Sequence, residues 1–166
     1  SKGTILLWLE FEKTPLTVAS FVGLEEGKIK NTARPAGKPF FDSLTFHRVV
    51  PKFVIQGGDP AGNGTGGPGY KFKNENHPDL KHSGPGILAM ANSGPGGTNG
   101  SQFYITHNAL SMLDGGYTVF GHVVEGQDVV DAIAVGDRII SVKIIRKGKK
   151  AKKYDAAKTF EELKDK

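Results

Sequence analysis

The chain contains no cysteine. That excludes disulfides, thiolate catalysis and cysteine-ligated zinc or iron–sulfur clusters, while leaving either redox compartment open. Long apolar runs are missing too: none approaches the roughly 18 residues that a membrane-crossing helix needs. A soluble protein with no membrane role is therefore expected. Ser1 opens directly into folded-looking sequence without the pattern of a signal peptide. The expected location is cytoplasmic, with periplasmic or exported as the alternative if an N-terminal signal has been removed.

What is present is glycine and proline, 23 and 9 residues in a chain of 166. They punctuate its whole length, which suits many short elements joined by tight turns and points to a β-rich domain. The length fits one domain able to bury a core without covalent or metal staples. The net charge of +5 is concentrated at 146–153, Arg-Lys-Gly-Lys-Lys-Ala-Lys-Lys. Such a run could touch nucleic acid or an acidic partner, but a solvated basic tail is the simpler reading. Nucleic acid is not an expected partner.

In 4–12, Ile5, Leu7, Leu9 and Phe11 alternate with Leu6, Trp8 and Glu10, the period of a strand buried mainly on one side. Thr14-Pro15 then reads as an N-cap and first-turn proline of a helix running to Gly27. Strand-like pieces recur at 44–49, 53–56, 87–90, 103–106, 119–124 and 139–146. A second helix fits 127–135, stopped by Gly136, and a third follows Asp155. Many strands with two main helices suggest an antiparallel barrel capped by helices. Gly-Pro-Gly occurs at 67–69, 84–86 and 94–96 at unequal offsets, which is turn chemistry rather than a repeat.

Several motifs have bland explanations. Residues 62–67, Gly-Asn-Gly-Thr-Gly-Gly, formally satisfy a dinucleotide-binding pattern, yet Pro68-Gly69-Tyr70 follows where a helix should open. The five histidines lack helical metal-site spacing, so no metal is expected. Gly100-Ser101-Gln102 lacks the second glycine of a nucleophile elbow. Asn63-Gly64-Thr65 and Asn99-Gly100-Ser101 match a glycosylation acceptor too short to carry weight.

The informative stretch is 46–59, where Arg48, Phe53 and Gln56 sit within apolar, strand-like sequence. Residues two apart in a strand share a face, so Phe53 and Ile55 face one way and Val54 and Gln56 the other. Polar groups there need partners or a ligand. An arginine–glutamine pair tying two strands together is the structural alternative. The second stretch, 88–95 followed by 99–105, combines small residues, amides and aromatics around glycine turns, as in a shallow groove with exposed backbone.

Taken together, 46–59, 84–92, 99–105 and Leu113-Asp114-Gly115 followed by Val119-Phe120-Gly121 resemble the signature of the cyclophilin family, in its order and at nearly its spacing. The resemblance covers 4–146. It implies a mainly β fold, a closed eight-stranded antiparallel β-barrel capped by two α-helices, in an isomerase domain at 1–147. A basic, charged C-terminal tail, with room for a short helix, then occupies 148–166. It also implies a cofactor-free, metal-free peptidyl-prolyl cis/trans isomerase that assists folding of proline-containing polypeptides, with a monomer as the default. Carried over, Arg48 looks like the catalytic arginine, with Gln56 and Phe53 beside it. Phe53, Tyr104 and Leu113 look like the wall of the proline pocket. Val54, Ala91, Asn92, Gln102, Met112 and Tyr117 complete the substrate groove. Met112 and Tyr117 stand where many members carry tryptophan and histidine. Cyclosporin binding is implied by the resemblance but weakened, because a thioether offers no proton to the drug. Val54, Tyr104 and a longer 94–99 loop also depart from common members and leave the residue preferred before proline open. The rival reading is a non-catalytic module that binds proline peptides in the same groove.

Overall fold

A computed structural model describes residues 2–94 and 97–166. Ser1, Pro95 and Gly96 lie outside the described residues, and with them the third Gly-Pro-Gly turn and the middle of the 94–99 loop. The elements are β1 (Leu6–Leu9), α1 (Pro15–Glu25), β2 (Arg48–Val50), β3 (Val54–Gly57), β4 (Ile87–Met90), β5 (Phe103–Thr106), a 3-10 turn (Ser111–Leu113), β6 (Val119–Glu125), α2 (Gln127–Ala132), α3 (Lys149–Lys153) and α4 (Ala156–Leu163).

The strands form one six-stranded antiparallel sheet in the order β1-β6-β4-β5-β3-β2. This is the mainly β architecture expected, with six paired strands where eight in a closed barrel were anticipated. Its register sorts the residues into two faces. Val49, Ile55, Ile105, Leu88, Gly121 and Leu9 follow one another across the strands and belong to the core side. At Gly121 a Cβ would overlap the Trp8 carbonyl and sit 3.2 Å from Leu88 Cδ2, so the row tolerates only glycine there.

Helix α1 lies against that core face and is buried from Leu16 to Glu25. Phe21 stacks on Phe41 at 4.6 Å and meets the Phe103 ring edge-on at 5.7 Å, geometries that suit the aromatic quadrupole. The start of α1 differs from the sequence expectation. Thr14 makes no side-chain cap; its hydroxyl donates to the Glu10 carbonyl at 2.9 Å. The Glu75 carboxylate caps the helix instead, accepting from the Leu16 and Thr17 N–H groups at 3.0 and 2.8 Å and from the Thr17 hydroxyl at 2.8 Å. A helix end without water needs acceptors for its orphan donors, and an anion also suits the positive end of the dipole.

Two further boundaries differ. The expected 127–135 helix stops at Ala132, with Ile133 extended, because the Asp137 carboxylate takes the Ala134 N–H at 2.8 Å and turns the chain. Residues 139–146 form no assigned strand. Their start pairs with 43–46, Ser43 N–H donating to Ile139 O at 2.7 Å and Ile139 N–H to Leu44 O at 2.8 Å. Further along, the Asp42 carboxylate accepts the Val142 N–H at 3.1 Å, taking the place of a strand partner.

In 148–166 the lysines of α3 are exposed, while α4 packs on the core. Ala156 and Phe160 are buried in it, and the Phe160 ring lies 4.9 Å from that of Tyr70. Asp155 caps α4 through the Lys158 N–H at 3.0 Å. Arg146 holds Glu26 by two hydrogen bonds of 2.6 and 3.2 Å. No helix among the described residues is long and apolar enough to cross a membrane.

Candidate active site

The opposite face of the sheet carries the second row: Arg48, Gln56, Tyr104, Ala89 and Val119 are successive cross-strand partners from β2 to β6. Period-two alternation puts Val54 and Gln102 on this face as well. Arg48 Nη1 donates to Gln56 Oε1 at 3.3 Å, and Gln56 Nε2 donates to Gln102 Oε1 at 3.0 Å. Gln102 Nε2 donates in turn to the Gly64 and Gly66 carbonyls at 3.0 Å each. The arginine–glutamine pair that could have been purely structural therefore exists, but Arg48 is exposed and spends one donor of its fork on it.

The glycine-rich loop gripped by Gln102 is no nucleotide site. It wraps the fully buried Asp59, whose carboxylate accepts from Ala61, Asn63 and Gly64 at 2.8, 3.0 and 2.5 Å. Burial alone would raise the Asp59 carboxyl, but these backbone donors and that of Gly66 together hold it below the ordinary range.

Beside the polar row lies a small apolar cluster of Val54, Ala89, Tyr104, Leu110 and Val119, against which Phe53, Ala91, Leu113 and Tyr117 pack half-buried. Phe53 was expected to share a face with Ile55, but it precedes β3 and packs on this cluster instead, presented by a tight turn in which Lys52 adopts φ +62°. The turn is closed by Phe53 N–H to Val50 O at 3.0 Å and tied by Asn108 Nδ2 to Lys52 O at 2.7 Å. The Arg48 guanidinium carbon stands 6.0 Å from the Phe53 ring centroid, the outer limit of a cation–π contact. Tyr117 meets Tyr104 edge-on at 5.9 Å. On the far rim Ala91 N–H donates to Gln102 O at 3.0 Å, and Asn92 Nδ2 donates to Gly116 O at 2.9 Å. Met112 stands 73% exposed at the mouth. All eleven residues singled out from the sequence thus fall on this face or its rim.

The sequence reading gave no role to His82 or Asp114. His82 is buried and bonded through both ring nitrogens, to Asp114 and to the Tyr104 hydroxyl, each at 2.7 Å. A histidine in a polar loop carries no sequence signal of that depth. His47, next to Arg48, has a buried Nδ1 without a partner among the described residues. Burial lowers its pKa, with Arg48 adding to the effect and Asp59 opposing it. Asn99 is fully buried, so its acceptor motif is closed to glycosylation. Among the described residues no three His, Asp or Glu side chains gather as around a metal ion.

The arginine, a ladder of amides and a cluster of apolar and aromatic side chains thus share one face of the sheet. A family profile described as cyclophilin type peptidyl-prolyl cis-trans isomerase/CLD matches residues 1–150. The chain is 49% identical over 140 residues to peptidyl-prolyl cis-trans isomerase A of Mycobacterium tuberculosis, covering 81% of this chain and 76% of that protein. It is 48% identical over 140 residues to isomerase B of Streptomyces anulatus, covering 81% and 79%. A solved Cryptosporidium parvum cyclophilin type isomerase, crystallised in the presence of the dipeptide Ala-Pro, superimposes with TM-score 0.69 at 30% identity, covering 85% of this chain and 89% of that one. The chain belongs to the cyclophilin-type peptidyl-prolyl cis-trans isomerase family.

Proposed function

We propose that this chain catalyses rotation about Xaa-Pro peptide bonds in polypeptides, with Arg48 acting on the twisting amide and the Phe53, Tyr104 and Leu113 wall holding the proline ring. The observation that carries the assignment is the Arg48–Gln56–Tyr104 row, which sets a guanidinium, an amide and a pocket wall side by side on one face. The family supplies the reaction, and a related isomerase was crystallised in the presence of the dipeptide Ala-Pro, a ligand with the ring this wall would hold.

The amide barrier of about 18–20 kcal/mol comes from conjugation of the nitrogen lone pair with the carbonyl. Twisting localises that lone pair. A guanidinium donating to the pyramidalising prolyl nitrogen therefore binds the twisted state better than either planar one, which is what catalysis requires. Arg48 stays charged throughout. Gln56 and the backbone at Asn92 would grip the chain on the carbonyl side while the ring stays fixed, so one half turns against the other. No nucleophile is consumed and no bond breaks.

Uncatalysed isomerisation takes tens of seconds, so about 10³ turnovers per second needs roughly 5.5–7 kcal/mol off the barrier. One charged hydrogen bond supplies about 1.5–3 kcal/mol. The remainder falls to water exclusion and to a bound conformation already partly twisted. In the same reading 43–46 and 136–139, already hydrogen-bonded to one another, extend the β2 edge toward a closed eight-stranded barrel. Exchange NMR on short Xaa-Pro peptides, comparing the parent with a folded Arg48→Ala variant, tests the function. A folded parent that binds such peptides without accelerating exchange would move the assignment to a recognition module.

A further inference from the structure

His82 lies behind the pocket, its side chain 0% exposed. Its neighbours leave little freedom in how it is bonded. Its backbone N–H and its Nδ1 both lie 2.7 Å from Asp114 Oδ1, and its Nε2 lies 2.7 Å from the Tyr104 hydroxyl. The N–H bond from the His82 backbone holds the Asp114 carboxyl below its ordinary range, and the His82 side chain and Lys81 add to that. An ionised carboxylate only accepts, which assigns the proton to Nδ1. Burial raises the Tyr104 pKa, so its hydroxyl keeps its proton; with the ring proton on Nδ1, that hydroxyl is the donor that Nε2 can accept at 2.7 Å.

The two partners stand on opposite walls of the pocket. Tyr104 belongs to β5, in the row with Gln56. Asp114 directly follows Leu113 at the end of the 3-10 turn, where the Asp114 N–H also donates to Ser111 O at 3.1 Å. Leu110, at the start of that turn, donates its N–H to the His82 carbonyl at 3.0 Å. One imidazole thus braces the strand wall against the loop wall, and Tyr117, three residues beyond Asp114, closes on Tyr104 edge-on. A core of apolar contacts alone would let the Tyr104 ring and the 113–117 loop shift apart; three short hydrogen bonds to one buried residue do not.

We infer that His82 is a positioning residue that fixes the width of the proline pocket through Tyr104 and Asp114, and so sets its preference for proline over a larger cyclic imino acid. The inference rests on the pocket assignment above. Without the brace the pocket admits a six-membered ring more readily. A well-fitted apolar site discriminates one methylene by about 10–200-fold.

The test uses two peptides that differ only in proline or pipecolate after the same residue, titrated by NMR into the parent, Tyr104→Phe, His82→Leu and the double variant. Acceleration of cis/trans exchange in the parent tests the isomerase reading; the ratio of the two dissociation constants tests the brace. The proline preference is expected to fall at least fivefold in each single variant, with no further fall in the double variant, because both remove the same link. A preference within twofold of the parent in folded variants overturns the inference. Should His82→Leu fail to fold, Tyr104→Phe decides alone, since it removes only the hydroxyl.

Discussion

Arg48 and Gln56 face each other across the β2–β3 pair, joined by a 3.3 Å hydrogen bond from the guanidinium to the amide oxygen. That bond is slightly longer than the usual N–H···O range, so in the proposed reaction a substrate amide would compete readily for either group. Gln56 is steadied from the other side by Gln102 at 3.0 Å, which would hold its amide in place if Arg48 turns to the prolyl nitrogen as proposed.

Replacing Arg48 by Ala is therefore expected to lower kcat/KM at least about tenfold, the equivalent of about 1.4 kcal/mol. Arg48→Lys should fall as well, because a point charge lacks the fork of donors. Peptide affinity should change less than turnover in both. The check is exchange NMR beside a peptide titration, and equal losses in the two would move Arg48 from catalysis to simple binding.

Gln102 links the amide ladder to the Gly64 and Gly66 carbonyls. Gln102→Leu should cost roughly threefold to tenfold in kcat/KM, in line with about 1 kcal/mol for a hydrogen bond. The loop should stay folded, because Asp59 holds its N–H groups independently. Amide exchange at 61–66 that matches the parent alongside reduced activity is the expected result.

Glu25 sits buried at the end of α1, where burial first and a hydrogen bond to Asp42 second push its carboxyl up to about 8, against the lowering effect of the Phe41 N–H. A raised folded-state pKa gives stability that is complete below the ordinary value of 4.5 and is lost as pH climbs through about 8. The parent should thus melt at a lower temperature at pH 9 than at pH 5. Glu25→Gln keeps the shape and donates to Asp42, so its Tm should fall less over that interval. Calorimetry at the two pH values decides, and parallel losses in both proteins would remove Glu25 as the cause.

Met112, exposed at the rim, offers no N–H donor. Met112→Trp should tighten cyclosporin binding severalfold in isothermal titration, whereas the parent should bind more weakly than nanomolar. A nanomolar parent would mean that the rim position does not govern the drug.

Phe160 of α4 fills a site between Tyr70 and Phe72. Phe160→Ala should destabilise the chain by about 3–5 kcal/mol, the usual cost of emptying a buried aromatic position. Denaturant melts will show it; a cost below 1 kcal/mol would mean that α4 is only loosely docked.

The sequence alone located most of the strands, though 139–146 forms none, located α1 through its proline start, and put Val54 and Gln56 on one strand face. It marked the groove residues through the family signature. These are local properties: a strand's two faces follow from the chain's own pleat, and a motif is read by spacing. Tertiary structure decided what no local pattern encodes. It set Tyr104 beside Gln56, brought Glu75 across 58 residues to cap α1 at Thr17, and docked α4 on the core. It also made the brace, since Asp114 and Tyr104 lie 32 and 22 residues from His82. Buried polar groups take whichever partner the fold delivers, so His82 remained an ordinary loop histidine until the strands and the 113–117 loop closed around it.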